Sequence, residues 1–331
     1  MHMGKMIGMK PAERKTHMQA KKKLQAPSVV ILMGTFNGES YILEQLSSIA
    51  RQTFDRWSLW ASDDGSTDGT LEILHRFQAE QSPREIVVLK GPALGFAANF
   101  LSMVCNPLVV GDYYAYADQD DIWDADKLER AVRWLNEQDP DVPALYCSST
   151  TLVDSNNKLL GQSPRYRRPA AFKNALVQSI ASGNTMVFNQ AARAALLAAG
   201  ADVKVPAHDW WTYLVVSGVG GNVMFDPLPT LRYRQHGSNL IGAGVGWVAR
   251  IRRLRGMFMS QTRHLHEQNL DALQRIRSLF PPHQIECWDA FAQARQGSIV
   301  NRLFALRRSG AYRQTRLSNF TLVLAAVLGK L

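Results

Sequence analysis

The sequence predicts an α/β fold, a mainly parallel sheet flanked by helices, and three observations carry that expectation. Short apolar runs rich in β-branched residues alternate with segments of helical apolar spacing from residue 28 to residue 217. Polar loops rich in Asp, Asn and Gly directly follow the strand-like runs, where an open α/β sheet binds its ligands. Beyond residue 247 helical spacing dominates, predicting a C-terminal helical extension.

Residues 28–33, Ser-Val-Val-Ile-Leu-Met, read as a buried strand ended by Gly34, and 39–51 as a helix with Ile42, Leu43, Leu46 and Ile49 on its apolar side. Strands follow at 57–62, 85–89 and 112–117, separated by helices at 70–78 and 96–104. The same alternation continues with a helix at 126–136, a strand at 144–149 and an Arg/Pro-rich loop at 163–169. A strand at 184–188 and helices at 190–199 and 208–217 come next, and 228–234 closes the ordered body. Gly237, Gly242, Gly244 and Gly246 mark a hinge. The organisation expected is a disordered basic lead-in at 1–26, a catalytic domain at 27–242 and a basic, mainly helical region at 243–331.

The chain has 331 residues, 46% hydrophobic and 20% charged, a globular composition that excludes a disordered or fibrous protein. Its net charge of +10 invites a nucleic-acid partner, but the charge is unevenly placed. Seven of the 38 Lys/Arg lie in residues 1–23 with one Glu, and fourteen lie in 247–331 with four Asp/Glu. That leaves 17 basic and 23 acidic residues in 24–246, so the body is acidic, and no nucleic-acid partner is expected. Cys105, Cys147 and Cys287 stand far apart, in no metal or disulfide spacing, which suits a reducing compartment. Residues 1–25 lack the apolar run of a signal peptide, and the apolar stretch at 320–329 is about half the ~20 residues needed to span a bilayer. The expectation is a cytoplasmic protein at the inner face of the membrane, not an integral one.

Four polar clusters stand at strand ends or a helix start: Gly34-Thr-Phe-Asn-Gly38, Asp63-Asp-Gly-Ser-Thr-Asp68, Asp118-Gln-Asp-Asp121 and His208-Asp209. Asx and Gly are common in turns, so one such loop means little, whereas three at one sheet edge point to a site. The carboxylates of Asp118, Asp120 and Asp121 repel one another unless a cation sits among them, and oxygen-only donors suit Mg²⁺ or Mn²⁺. Asp124 and Asp126 read instead as first-turn acids of the next helix, favoured by its dipole. Asp68 reads as a helix cap; Asp64 either caps or faces a base edge, where it can accept from the N3–H of uracil or thymine.

Thr35-Phe-Asn-Gly38, Ser62-Asp-Asp-Gly-Ser-Thr-Asp68, Leu94-Gly-Phe-Ala-Ala-Asn99-Phe100 and Tyr116-Ala-Asp-Gln-Asp-Asp-Ile-Trp123 resemble, in order, the motifs of family 2 glycosyltransferases of the GT-A fold. Ser182-Gly-Asn184, His208-Asp-Trp-Trp211 and Tyr233-Arg-Gln-His-Gly-Ser-Asn239 resemble its rhamnosyltransferase-like branch, which builds cell-surface polysaccharides. The match covers residues 28–242; 247–331 lie outside it.

The resemblance implies that Thr35, Asn37, Glu39 and Asn99 border the donor nucleotide and that Asp64 reads the pyrimidine. Asp118 would sit at the ribose and the metal, Asp120 on the metal at the diphosphate, and His236 on the metal or a phosphate, with Arg234 structural or phosphate-binding. Asp209 matches the catalytic base, and a single base with no carboxylate nucleophile implies inversion. Gly183, Asn184, Trp210 and Trp211 are the expected acceptor-side residues, although paired Trp at a helix start also suits a core, as does His208 beside them.

The implied reaction moves a sugar, L-rhamnose from dTDP-rhamnose, to a saccharide or lipid-linked saccharide, with Mn²⁺ or Mg²⁺ as cofactor. The competing readings are a sugar-phosphate nucleotidyltransferase, which should carry a Gly-rich basic loop where Gly34-Thr-Phe-Asn-Gly38 stands, and a non-catalytic nucleotide-sugar-binding scaffold. In the tail, Arg residues mix with apolar ones at helical spacing, so peripheral membrane contact through this region is expected, with a homodimer contact or packing on the body as alternatives.

Overall fold

The computed structural model describes residues 27–235 and 261–331; the expected lead-in, the Gly-rich hinge and His236 lie outside them. Strand β1 (Val29–Thr35) is apolar at nearly every position because both faces of the sheet are covered. Val30 and Leu32 point into one core, Val29, Ile31 and Met33 into the other. Helix α1 (Ile42–Ala50), β2 (Trp57–Asp63), α2 (Thr70–Glu80), β3 (Ile86–Lys90), α3 (Phe96–Val104) and β4 (Tyr113–Asp118) follow in the predicted alternation. β1 pairs in parallel with β2 and β4, and β2 with β3.

The second half is less regular. After β5 (Ile122–Trp123) and α4 (Lys127–Asn136), β6 runs over Ala144–Asp154 and folds back into β7 (Leu159–Gln162). The turn uses Asn157 at φ 63, a left-handed conformation that Asn tolerates. A short α5 (Phe172–Ala175) and a 3-10 turn (Gly183–Thr185) lead to β8 (Val187–Asn189), which is antiparallel to both β4 and β6. Then come α6 (Gln190–Ala199), whose first turn is capped by the Asn189 side chain accepting from the Ala192 N–H at 2.9 Å, and α7 (His208–Gly218). β9 (Asn222–Gln235) lies parallel to β6 and begins well before residue 228, the expected start. Bulges near Ser148 and Ser149 bring the Pro227/Pro229 stretch into the ladder. The sheet order is β3-β2-β1-β4-β8-β6-β9-β5, with β7 on β6.

The tail is helical as expected: α8 (Gln261–Leu273), α9 (Pro282–Gln293), α10 (Ile299–Ser309) and α11 (Arg316–Val327). Trp288 and Phe291 of α9 share one apolar core with Phe172 and Trp211 of the body. Among the described residues no helix is long and apolar enough to cross a membrane.

Candidate active site

Register alone gathers the site. Gly34 of β1 lies opposite Ser62 of β2 on one side and Asp118 of β4 on the other, so three polar loops leave the same sheet edge.

The first two loops are laced together. Thr35 Oγ1 donates to Asp63 Oδ1 at 3.0 Å, and the Asp63 carboxylate also accepts from the Ser66 N–H at 2.8 Å, which makes Asp63 the organiser of its own turn. Asn37, at φ 48, accepts from the Thr67 N–H at 2.9 Å, and Glu39 accepts from the Gly69 N–H at 3.1 Å. Asp64 reaches across to the loop after β3, accepting from the Ala93 N–H at 2.7 Å and the Gly95 N–H at 2.9 Å. Each of its oxygens keeps a second lone pair for a ligand donor.

The 118–121 loop is held from three sides. Gln119 grips the Phe36 backbone with both ends of its amide, accepting from the N–H and donating to the carbonyl at 2.9 Å each. Gln45 of α1 donates to the Asp118 carbonyl at 2.9 Å, and Ser48 on the same face accepts from the Trp123 N–H at 2.9 Å. From β9, Arg234 donates to the Asp120 carbonyl at 3.0 Å and the Ser155 carbonyl at 2.7 Å, and pairs with Glu44.

Asp209 sits in the first turn of α7, where the helix dipole favours a carboxylate. It accepts from the Trp210 N–H at 2.6 Å and the Gly183 N–H at 3.2 Å. Burial raises its pKa above the usual carboxylate range, against those two hydrogen bonds. The Asp118 carboxyl is pushed up to about 8, first by burial and then by the charges of Asp120 and Asp209. Asp118 and Asp120 are hard oxygen donors whose mutual repulsion an oxygen-ligated divalent cation would relieve. Among the described residues no group of three or more His, Cys, Asp or Glu is close enough to hold a metal ion by itself.

Four expected ligand-facing side chains point elsewhere. Trp211 is fully buried in the core, so it has no face to offer a sugar. Asn184 is also fully buried and donates to Asp121 at 2.6 Å, so its amide supports the 118–121 loop and does not line a cleft. Asn99 is 2% exposed and donates to the Ser62 carbonyl at 2.8 Å, beneath the loop it was expected to present. Arg234, 2% exposed, is consumed by backbone and Glu44 contacts, which makes its role structural. Trp210 is half-buried with its indole donating to the Ala175 carbonyl at 2.7 Å. His208 stacks on Phe100 with ring centroids 3.9 Å apart, and burial drives its imidazole pKa down to about 3, so it is a neutral core group.

A profile of glycosyl transferase family 2 matches residues 30–196. The chain belongs to that family. Within family 2 it is 30% identical over 235 residues to a dTDP-rhamnosyl transferase, RfbG, of Shigella flexneri, covering 67% of this chain and 78% of that one. It is 33% identical over 108 residues to the UDP-Glc:alpha-D-GlcNAc-diphosphoundecaprenol beta-1,3-glucosyltransferase WfgD of Escherichia coli, covering 32% and 40% of the two chains. The fold resembles residues 1–349 of TarS from S. aureus, solved with UDP-GlcNAc, at a TM-score of 0.50, 15% identity and 92% coverage of each chain. The mixed α/β sheet with flanking helices is therefore the GT-A architecture that the motifs implied.

Motif reading alone missed the supporting side chains. Gln45, Ser48 and Gln52 form a polar stripe at i, i+3, i+7 beside the apolar stripe of α1, and that spacing is the signal that could have found them. Asp121, read in sequence as one of three carboxylates around a cation, is fully buried on Asn184, and Lys127, fully buried nearby, had no signal in the sequence.

Proposed function

We propose that this family 2 glycosyltransferase is an inverting, divalent-metal-dependent rhamnosyltransferase that moves L-rhamnose from dTDP-rhamnose to a saccharide or lipid-linked saccharide in cell-surface polysaccharide synthesis. Support for the donor comes from the 30% identity to the Shigella dTDP-rhamnosyl transferase across 78% of its length. Support for the chemistry comes from Asp209, a single carboxylate in the first turn of α7, electrostatically coupled to Asp118.

In this reading the acceptor hydroxyl gives its proton to the Asp209 carboxylate as its oxygen attacks the anomeric carbon. The new C–O bond forms on the face opposite the diphosphate, the anomeric C–O bond to phosphate breaks, and dTDP leaves, so the configuration inverts. Trp210 and Gly183 N–H groups hold Asp209 in one orientation and keep its proton-accepting oxygens placed. Thr35, Asn37, Glu39 and Asp64 shape the nucleotide end, with Asp64 on the thymine N3–H. A divalent cation held by Asp118 and Asp120 would supply Lewis-acid neutralisation of the leaving diphosphate. Residues 27–242 form the catalytic part, and the C-terminal helices buttress α7 through the shared core.

Thermal-shift titration with dTDP-rhamnose against UDP- and GDP-sugars, with Mn²⁺ or Mg²⁺ present, followed by dTDP release on adding a saccharide acceptor, tests the reading. Asp209→Asn should bind donor normally and lose turnover by about 10³-fold or more. Near-normal turnover of Asp209→Asn removes the base assignment, and preferential stabilisation by UDP-sugars removes the rhamnosyl one.

A further inference from the structure

Residues 290–331 contain seven Lys/Arg and no Asp/Glu. Helices α10 and α11 within this stretch run antiparallel: Arg302 near the start of α10 donates to the Val327 carbonyl at the end of α11, at 2.9 Å. Ala305 and Leu306 of α10 and Leu322 and Ala326 of α11 are buried in the shared core.

The opposite sides are apolar too. Val300 is 75% exposed and Phe304 69% on α10, while Leu317 is 64%, Phe320 65%, Val323 45% and Leu328 50% exposed on or just after α11. Arg307, Arg308 and Arg316 are exposed on the same two helices. Two Phe rings standing in water, bordered by arginines and with no carboxylate in the stretch, are costly for a surface with no partner.

We propose that the outer face of α10 and α11 docks on an anionic phospholipid bilayer, Phe304 and Phe320 entering the headgroup–acyl boundary and Arg307, Arg308 and Arg316 meeting lipid phosphates. Charge complementarity selects this partner over a second copy of the chain. Asp289 of α9 is close enough to feel Arg308, but a two-fold contact would still set Arg307 and Arg316 of one copy near those of the other in a stretch with no Asp or Glu of its own. The face is also tied to the catalytic body: Asn174 donates to the Tyr312 carbonyl at 2.9 Å, and Gln178 accepts from the Gln314 N–H at 2.9 Å. The same 174–178 turn receives the indole of Trp210, the neighbour of Asp209. Docking would therefore hold α7 next to a lipid surface, where a lipid-linked acceptor would be presented.

The inference goes beyond glycosyl transfer and stands without it, because its test needs no donor. The full chain is sedimented with vesicles of phosphatidylglycerol mixed into phosphatidylcholine and, separately, with phosphatidylcholine alone. Binding to the anionic vesicles only is expected. Phe304→Ser/Phe320→Ser should weaken that binding about tenfold or more with circular dichroism and melting midpoint retained. Arg307→Gln/Arg308→Gln should weaken it and flatten its salt dependence. Equal binding by the double Phe variant, or no binding by the wild type, overturns the proposal. A solution dimer that the double Phe variant dissociates also overturns it and gives the face to a second copy.

Discussion

The backbone N–H of Gly183 donates to the Asp209 carboxylate at 3.2 Å, tying the turn before β8 to the first turn of α7. A Cβ added at Gly183 would stand 2.7 Å from His208 Nε2 and 3.2 Å from Asp209 Cβ. The His208 ring is packed between Phe100 and Tyr116 and has little room to move. Gly183→Ala should therefore displace Asp209 and cost about 1–3 kcal/mol of stability. Steady-state kinetics should show a fall in kcat of about tenfold or more at near-constant donor KM, because the nucleotide loops lie elsewhere. A KM effect alone would place Asp209 outside the chemistry.

The residue after Gly183 works on the other side of the site. Asn184 donates to Asp121, whose carboxyl is fully buried and raised by burial and by the charges of Asp120 and Asp118. Removing the amide leaves a buried carboxyl short of a donor, so Asn184→Ala should lower stability by about 1–3 kcal/mol in urea denaturation. Asn184→Asp should be worse, since it sets a second carboxyl against the first. An unchanged midpoint for both variants would mean that this bond is not formed in solution.

The difference between what was legible in the sequence and what was not runs along these lines. β1, β2 and β4 were readable because sheets covered on both faces demand unbroken apolar runs, and the loop after each is then fixed by register. Asp118 stood out as one of three carboxylates directly after a strand, whereas the role given to Asp209 rests on the resemblance and is part of the proposed function. The Ser/Thr-rich end of β6 and the Pro-interrupted start of β9 were not readable, since the first is a strand through the ladders of β7 and β9 and the second through that of β6. Trp211, Asn99, Asn184 and Arg234 carry side chains equally fit to bind ligands or to satisfy buried groups. Only tertiary packing decides, and it placed all four inside. The sequence left packing of the tail on the body as one alternative among three, and Trp288 and Phe291 do join the core beneath α7.

Arg234 links distant parts of the chain at the 118–121 loop, proposed to hold the metal: Glu44 of α1, the Ser155 carbonyl beyond β6 and the Asp120 carbonyl. A planar guanidinium spans these directions at once, and an ammonium does not. Arg234→Lys should leave the chain folded but loosen the Asp120 backbone. Changes at residues supporting ligands cost roughly 10–100-fold in metal affinity. Titrating Mn²⁺ or Mg²⁺ into chelator-stripped enzyme should move the half-activating concentration up by about tenfold, while Asp120→Ala should lose activity at any metal concentration. Equal metal titrations for wild type and Arg234→Lys would detach Arg234 from the metal loop.

His266 of α8 sets a pH limit on stability away from the chemistry. It is 5% exposed, edge-on to Trp210 and Phe291 at 5.3 and 6.1 Å, and burial, then Arg313 and Arg295, push its pKa down to about 3. An unfolded chain takes up that proton near the ordinary value of about 6.5. Above 6.5 both states hold a neutral ring and the group contributes fully; as pH falls toward 3 the unfolded state binds the proton first and stability is lost. Each pH unit in that window costs up to about 1.4 kcal/mol, so the loss from pH 6.5 to pH 5 is about 2 kcal/mol from His266. His208, also lowered to about 3 by burial, adds a like amount. His266→Phe keeps an aromatic ring among aromatic neighbours but forfeits the hydrogen bond to the Leu176 backbone, at a cost of about 1 kcal/mol at pH 7. In urea titrations at pH 7 and pH 5, wild type should lose about 2 kcal/mol more between the two than His266→Phe, a difference in which the raised carboxyls common to both chains cancel, and parallel changes would show that His266 is hydrated and titrates freely in the folded chain.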